Sequence, residues 1–301
     1  MDLIKRRHLD TICLEVCIMN IKKETLAVCE ILGLTQEELA KKLGVSFQTV
    51  NRWINEHNEA EANHIEKLYS FAYANKIYLN DIYEQLFSEE FQKDGVVMLF
   101  HGCKTVIDFP IDLHHSKKSN DFGPGFYLGE SFKQAATYIA NSSSTNVYTF
   151  ALDLKDLRVA SFNVDRDWMM AIAYYRGWID RYKDDPSVKA IVGRVEEADV
   201  VLAPIADNRM FDIISEFVRG EITDLQCQHA LSATNLGRQY VIKTEKGLRN
   251  LSLIRLNYLS KPEKENCVKQ RLEMNNISQD KVAVARIEYR GKGKYIEELF
   301  K

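Results

Sequence analysis

The 301-residue sequence has no apolar run approaching the roughly 18 residues that a membrane-spanning helix needs. Its six cysteines form no C-x-x-C pair and no disulfide-framework spacing, so we expect a reduced protein without structural zinc. The basic start precedes apolar residues as in a secretion signal, but Asp10 and Glu15 interrupt that run. These absences predict a cytoplasmic protein with no membrane partner.

Neither sign of charge dominates, since 40 basic and 43 acidic residues give a net charge of −3. A chain with this balance is not forced to bind nucleic acid nonspecifically. The charge is unevenly spread, because residues 1–94 carry a net −5 and residues 252–301 a net +4. At 46% hydrophobic residues the chain can build real cores, and its length suggests about two domains.

Local patterns divide the chain into three regions. Residues 1–94 are predicted to be entirely helical, because apolar residues recur three and four positions apart and proline is absent. Residues 95–251 follow a polar linker and predict an α+β domain, in which strand-like segments rich in valine and aromatics alternate with helix-like ones. Residues 252–301 predict a helical basic tail that Pro262 opens. Its RGKGK stretch at 290–294 is expected to be a flexible solvated end, and the alternative is contact with nucleic acid or a protein target. The predicted strands lie at 96–101, 146–153, 157–163, 200–206 and 238–244, and the helices at 131–141, 165–176, 209–219 and 223–233.

A helix-turn-helix pattern occupies LTQEELAKKLGVSFQTVNRW, residues 34–53. Thr35 and Glu38 form the spacing of a capping box, Gly44 supplies a turn, and Ser46 can cap the second helix. The motif is very similar to the bacterial repressor-like family of helix-turn-helix domains, which usually bind DNA as dimers. That resemblance predicts a DNA-binding domain.

The resemblance also implies which residues contact DNA. Residues 47–54 would form the recognition helix, and Gln36 matches the position that contacts phosphate. The side chains expected in the major groove are Phe47, Gln48, Asn51 and Arg52, whereas Val50 and Trp53 would face the core. The alternative is that the polar residues are only solvated and that this acidic domain docks a protein partner.

Three stretches in the middle of the chain resemble the ADP-ribosyltransferase fold, on the branch shared by diphtheria toxin and the poly(ADP-ribose) polymerases. They are LFHGC at 99–103, GPGFYLGESFKQAATYIA at 123–140 and RQYVIKTEKGL at 238–248. In that branch a His-Gly pair ends the first strand, and a Gly-x-Tyr strand leads into a serine-opened helix with a second aromatic. A late strand carries a glutamate. The phrases HG, NDFG-x-GFY and KT-x-K-x-L also resemble an uncharacterised bacterial family often encoded in toxin–antitoxin-like settings.

The resemblance implies NAD as the bound substrate. His101 would hydrogen-bond the adenosine ribose, and Gly102 would offer its backbone to the nicotinamide carboxamide. Tyr127 and Tyr138 would sandwich the nicotinamide ring, and Ser131 would approach a ribose hydroxyl. Breaking the nicotinamide–ribose bond develops an oxocarbenium-like centre, which such a site orients and shields from water.

One position departs from the family pattern, because Gln239 stands where the family has its glutamate. Glutamine can orient the ribose 2′-hydroxyl but brings no negative charge, so we expect single ADP-ribose transfer rather than polymer synthesis. The predicted catalytic residues are Gln239, His101 and Tyr127. Glu130 is a candidate replacement for the missing carboxylate, whereas Glu245 lies past the strand.

The sequence therefore predicts a multidomain protein, with an all-α helix-turn-helix domain, an α+β ADP-ribosyltransferase-like domain and a helical basic tail. Its expected function is mono-ADP-ribosylation of a protein or nucleic acid, as a bacterial toxin or defence effector with a possible antitoxin partner. Two alternatives stay open: a DNA-binding regulator whose degenerate transferase fold binds NAD without chemistry, and an NAD glycohydrolase. No metal is expected, since His114 and His115 look like part of a solvated loop.

Overall fold

The computed structural model describes residues 21–55, 60–91, 95–142, 145–234 and 236–300. The segment with Asp10 and Glu15, on which the prediction against secretion depends, lies outside the described residues.

The first region is helical, as predicted. Its helices are α1 (Ile21–Leu32), α2 (Gln36–Leu43), α3 (Phe47–Asn55), α4 (Ala62–Ala74) and α5 (Leu79–Glu90). Apolar residues three and four apart put one face of each helix into a shared core. Val28, Leu39, Val50 and Leu68 are fully buried there.

The second region is an α/β domain built on a mixed seven-stranded sheet of described residues. The strands are β1 (Val96–Cys103), β2 (Phe126–Gly129), β3 (Asn146–Asp153), β4 (Val159–Ser161), β5 (Val200–Pro204), β6 (Arg238–Ile242) and β7 (Leu251–Asn257). Their order across the sheet is β4-β5-β6-β2-β1-β3-β7. The β4–β5 pair is parallel, and the other neighbours are antiparallel.

In chain order, six α-helices lie between the strands of the sheet and two follow its last strand in the described residues. They are α6 (Phe132–Ile139), α7 (Arg166–Tyr175), α8 (Pro186–Glu196), α9 (Asn208–Val218), α10 (Asp224–Ser232), α11 (Glu245–Arg249), α12 (Lys261–Glu288) and α13 (Ile296–Leu299). The four helices predicted in this region are confirmed as α6, α7, α9 and α10. Helix α8 was not predicted, although Asp185 accepts from the Ser187 N–H and Pro186 lies at the first turn, which is an ordinary helix start.

Of the two predicted domain boundaries, after residues 94 and 251, the second falls inside a strand of the structure. Helix α5 ends and β1 begins on either side of residue 94. At the other boundary, β7 carries the sheet six residues past residue 251. Alternating residues in LSLIRLN pair this strand with β3, so the last region starts with a strand and becomes helical only at α12.

The RGKGK stretch is not the flexible end that the sequence predicts. The Asp224 N–H donates to the Lys294 carbonyl at 2.9 Å, and the Lys294 N–H donates to Asp224 Oδ1 at 2.7 Å. Ile296 is fully buried in the same core as the helices α7–α10. This short exchange of hydrogen bonds and one apolar anchor attach the end of the chain to α10.

A buried ion pair joins the helical region to the sheet. Arg255 on the edge strand β7 donates to Glu24 Oε1 of α1 at 2.6 Å and to the Tyr69 hydroxyl of α4 at 2.8 Å. The guanidinium also lies 3.7 Å from the ring centroid of Tyr83 on α5. Because Glu24 and Arg255 are both buried, each charge depends on the other for its neutralisation.

Polar contacts extend this interface along the start of α12. Asn80 Nδ2 donates to the Tyr258 carbonyl at 2.8 Å and to Glu263 Oε1 at 2.9 Å. The Tyr258 hydroxyl donates to Glu66 Oε2 at 2.7 Å. The helical region is therefore fastened to the sheet domain through β7 and α12, although the sequence between α5 and β1 looks like a simple linker.

Candidate functional site

The helix-turn-helix forms with the local geometry that its sequence dictates. The Glu38 N–H donates to Thr35 Oγ1 at 3.2 Å, and the Thr35 N–H donates to Glu38 Oε2 at 2.8 Å, which completes the capping box. Gly44 ends α2 at φ 62°, a left-handed conformation that glycine adopts without strain. Ser46 Oγ then accepts from the Thr49 N–H at 3.0 Å at the start of α3.

Helix α3 exposes the side chains expected to contact DNA. Phe47 is 49% exposed, Gln48 and Arg52 are also exposed, and Asn51 is half-buried. Val50 and Trp53 face the core, as predicted. Asn51 Nδ2 donates to Gln36 Oε1 at 3.4 Å, which connects the first turn of α2 to α3.

The second candidate site lies where β1, β2 and β6 are neighbours in the sheet. His101 and Gly102 are near the end of β1, Tyr127 is in β2, and Gly129 pairs in register with Gln239 of β6. The fold thus brings together three motifs that are up to 138 residues apart in the chain. This proximity depends on the strand order, which local sequence patterns do not encode.

The two faces of the sheet separate the predicted catalytic residues. Phe100 pairs with Gly129, and Gly129 pairs with Gln239, so these positions share a face with Tyr127. His101 is one residue from Phe100 and points to the opposite face, where its ring stacks on Phe126 at 4.6 Å between centroids. Tyr127 and Gln239 therefore lie on one side of the sheet and His101 on the other.

His101 bridges two strands as a neutral donor. Its Nδ1 lies 2.7 Å from the Tyr127 carbonyl oxygen, so we assign the proton to this nitrogen. Burial lowers the pKa of His101 below its usual 6.5, although the Tyr127 hydrogen bond partly opposes the shift. The neutral ring leaves Nε2 as a hydrogen-bond acceptor.

Tyr127 holds the glycine-rich turn instead of standing free in a cleft. Its hydroxyl donates to the Gly123 carbonyl at 2.7 Å and accepts from the Phe122 N–H at 3.1 Å. Burial raises the pKa of this hydroxyl. Lys243 fixes the same turn by donating to the Phe122 and Pro124 carbonyls at 2.5 and 2.6 Å, and burial lowers its pKa to about 8.

Tyr138 projects from α6 into solvent, where 72% of it is exposed. Within the described chain it stacks on no other ring, so the tyrosine sandwich predicted for nicotinamide is not preformed. Tyr138 follows Gln134 by one helical turn, and Gln134 Nε2 donates to the Leu236 carbonyl just before β6 at 2.5 Å. Tyr138 therefore lies on the same side of α6 as Gln134, which contacts the loop before β6.

Gly102 and Ser131 are placed by the packing of α6. A Cβ on Gly102 would lie 2.4 Å from the Ala135 carbonyl oxygen, so close helix–strand packing alone requires glycine there. Ser131 opens α6, as predicted, but makes no side-chain cap. The Phe132 N–H instead donates to Glu84 of α5 at 3.3 Å, and burial raises the pKa of Glu84.

Gln239 belongs to a buried polar cluster that the sequence did not predict. Its Nε2 donates to Asp121 Oδ2 at 3.2 Å and to the Pro204 carbonyl at 3.1 Å. Arg176 donates to the other oxygen, Asp121 Oδ1, at 2.9 Å. Burial raises the pKa of Asp121, and the Arg176 guanidinium opposes that shift. Asp121 lies in the NDFG phrase, a local signal that could have pointed to it, whereas nothing local to Arg176 distinguishes it from a surface arginine.

Glu130 is close to Gln239 in the sheet but is directed at the backbone. Its Oε1 accepts from the Arg238 N–H at 3.1 Å, and its own N–H donates to the Arg238 carbonyl at 3.3 Å. Glu245 begins α11 after β6 has ended, as predicted.

A groove of about 310 Å³ flanks the Gln239 cluster. Its lining includes Phe162, Asn163, Pro204, Met210, Thr234 and Arg238. Pro204 and Arg238 thus contact both the groove and the surroundings of Gln239. Over the described ranges, no group of histidine, cysteine and acidic side chains could hold a metal ion.

Comparison with known families distinguishes the two parts of the chain. Residues 27–68 match the helix-turn-helix family. Residues 97–253, just over half of the chain, match a family described as protein of unknown function, DUF3990. The chain belongs to the DUF3990 family. The DUF3990 match begins inside β1 and ends inside β7, so it includes His101, Tyr127 and Gln239.

No curated protein and no solved structure matches the chain. Of the helices in the described segments, none is both long and apolar enough to cross a membrane. The helix-turn-helix domain and the DUF3990 domain thus give the chain two distinct candidate functional surfaces.

Proposed function

We propose that the protein is a DNA-binding regulator whose DUF3990 domain binds NAD. The observation that carries the DNA-binding role is the division of α3 into a buried apolar face and an exposed face with Gln48 and Arg52. An exposed helix following a helix-turn is the element that enters the major groove in this class of domain.

The NAD-binding role rests on the neighbourhood of β1, β2 and β6. Exposed Tyr138 offers a ring face for nicotinamide, and Gln239 offers an amide for the ribose. Neutral His101 offers Nε2 to a hydroxyl donor from the opposite sheet face. These groups come from three motifs whose order resembles that of NAD-using ADP-ribosyltransferases. The ligand would bind along the shared strand ends, beside the groove that Arg238 lines.

Binding without chemistry follows from the charges around Gln239. Strand β6 carries no carboxylate, and the carboxylate that the amide contacts, Asp121, is already paired with Arg176. A developing oxocarbenium ion is stabilised by preorganised negative charge directed at it. Here His101 also lies on the opposite sheet face from Gln239 and Tyr127, which favours a ligand sensor over an enzyme.

Arg52→Ala is expected to weaken binding to DNA from the protein's own promoter by about tenfold, since one good base contact contributes about 1–3 kcal/mol. Electrophoretic mobility shift with a scrambled competitor measures the change. Arg249→Ala is the matched control, because it removes an exposed arginine of the DUF3990 domain and is expected to leave DNA affinity unchanged. Equal affinity of wild type and Arg52→Ala would contradict the proposed recognition helix.

Tyr138→Ala is expected to weaken NAD binding by about fivefold, as the loss of one ring stack predicts. Because Tyr138 is 72% exposed, its removal should leave the melting temperature unchanged. Calorimetry of the full-length protein at millimolar NAD measures the affinity, and Tyr78→Ala controls for loss of an exposed tyrosine outside the DUF3990 domain. No heat with the wild type would remove the NAD-binding role altogether.

A second candidate function is mono-ADP-ribosyl transfer to a protein or nucleic acid, with NAD hydrolysis as its water-acceptor form. The favouring observation is that Gln239 and Tyr127 share one sheet face, and that Gln239 donates to the carbonyl of Pro204, which lines the groove. In that case the protein would act as a toxin or defence effector with an antitoxin partner. Nicotinamide release distinguishes the candidates: activity above background that Gln239→Ala abolishes supports the enzyme, and background traces from both proteins support the regulator.

A further inference from the structure

The cluster around Gln239 contains a carboxylate for which neither candidate function has a role. Asp121 is 8% exposed and Gln239 is 7% exposed, so both side chains are mostly buried and keep only a small accessible part. Arg176 binds one oxygen of Asp121 at 2.9 Å, and its guanidinium lies 3.4 Å from the ring centroid of Phe211. Arg176 therefore binds one carboxylate oxygen of Asp121, and the second oxygen accepts a hydrogen bond from Gln239.

These contacts fix which way the Gln239 amide points. Both protons of Nε2 are engaged, one by Asp121 Oδ2 and the other by the Pro204 carbonyl. A flipped amide would turn its oxygen toward these two acceptors and lose both hydrogen bonds. Oε1 is thus the atom of this side chain left to accept from a ligand.

We propose that Asp121, held by Arg176, is the positioning residue that orients the Gln239 amide so that Oε1 accepts a ribose hydroxyl of the ligand. This inference rests on the proposed binding of NAD by the DUF3990 domain. Asp121 in the loop and Gln239 in the strand act as a pair, because Asp121 determines which atom of the Gln239 amide can bind the ligand.

The pairing predicts how the missing glutamate can be restored. Gln239→Glu alone would place a second carboxylate within hydrogen-bonding distance of Asp121 and against the Pro204 carbonyl. Like charges at such a distance oppose each other, so this variant should lose NAD affinity despite the added charge. Asp121→Asn in the same chain supplies an amide donor to the introduced carboxylate and keeps an oxygen for Arg176.

A double-mutant cycle on the full-length protein tests the proposal. Wild type, Asp121→Asn, Gln239→Glu and the double variant are titrated with NAD by calorimetry, and thermal unfolding is recorded for each. Both single variants should bind NAD about fivefold or more weakly, since each leaves a buried polar group facing the wrong partner. The double variant should bind more tightly than either single one, which independent sites would not do.

Asp199→Asn is the matched control for losing a buried carboxylate of the same domain. Asp199 accepts from the Arg158 N–H and the Thr244 hydroxyl and does not contact Gln239, so NAD affinity should not change. If the losses of the two single variants simply multiply in the double variant, the proposal is wrong. Coupling seen in thermal unfolding but not in NAD affinity would also overturn it, because Asp121 would then be structural only. No binding by wild type instead removes the proposed NAD role.

Discussion

Arg255→Met is expected to lower the free energy of unfolding by about 3–5 kcal/mol, the usual cost of breaking a buried ion pair from one side. Glu24, which is fully buried, would keep a charge without its partner. Burial already raises the pKa of Glu24, and the Arg255 charge is the main influence opposing that rise. The loss should appear in urea unfolding followed by circular dichroism.

Two further variants separate this effect from simple loss of a large side chain. Arg219→Met removes an arginine from an exposed pair with Glu221 and should change stability by less than about 1 kcal/mol. Glu24→Met combined with Arg255→Met should recover much of the loss, because an apolar pair of similar volume replaces two buried charges. A loss below about 1 kcal/mol for Arg255→Met would show that the pair does not fasten the two regions.

The contacts between the helical region and the sheet domain also determine whether the chain can be truncated. Deleting residues 1–90 would leave Arg255 without Glu24 and Tyr69. A buried arginine that loses its partners destabilises the fold. Tests of NAD and DNA binding therefore require the full chain, even though the SEEFQKDG stretch reads as a linker.

Gly102→Val is expected to destabilise the protein by about 3 kcal/mol, at the upper end for overpacking a core. The new Cβ would lie 2.4 Å from the Ala135 carbonyl oxygen and 3.1 Å from its carbon, and both are backbone atoms that move only if α6 moves. Because α6 also carries Tyr138, NAD affinity should fall as well. Thermal unfolding without and with NAD measures the two effects.

Gly193→Ala provides the control for this substitution. In α8 a Cβ at Gly193 would meet no atom within 4 Å, so alanine should stabilise the helix by about 0.5–1 kcal/mol. If Gly102→Val keeps wild-type stability and loses only NAD affinity, the glycine serves ligand approach rather than packing. That outcome would support the role that the family resemblance implies for Gly102.

The sequence by itself determined the elements whose causes are local. Thr35, Glu38 and Gly44 define the helix-turn-helix because a capping box and a left-handed turn depend on residues within one or two helical turns. Alternating valines and aromatics likewise identified β1, β3 and β6, since side chains on a strand alternate between faces. The exposed and buried sides of α3 follow from the same kind of short-range periodicity.

Only the tertiary structure decided which distant groups meet. Asp121 contacts Gln239 because the turn before β2 folds back over β6, and Arg255 reaches Glu24 across 231 residues of sequence because β7 lies at the sheet edge. The strand register also placed His101 on the opposite face from Tyr127 and Gln239. Local periodicity sets the direction of a side chain relative to its own strand or helix. The partner of that side chain depends on strand order and helix docking, which the whole chain determines.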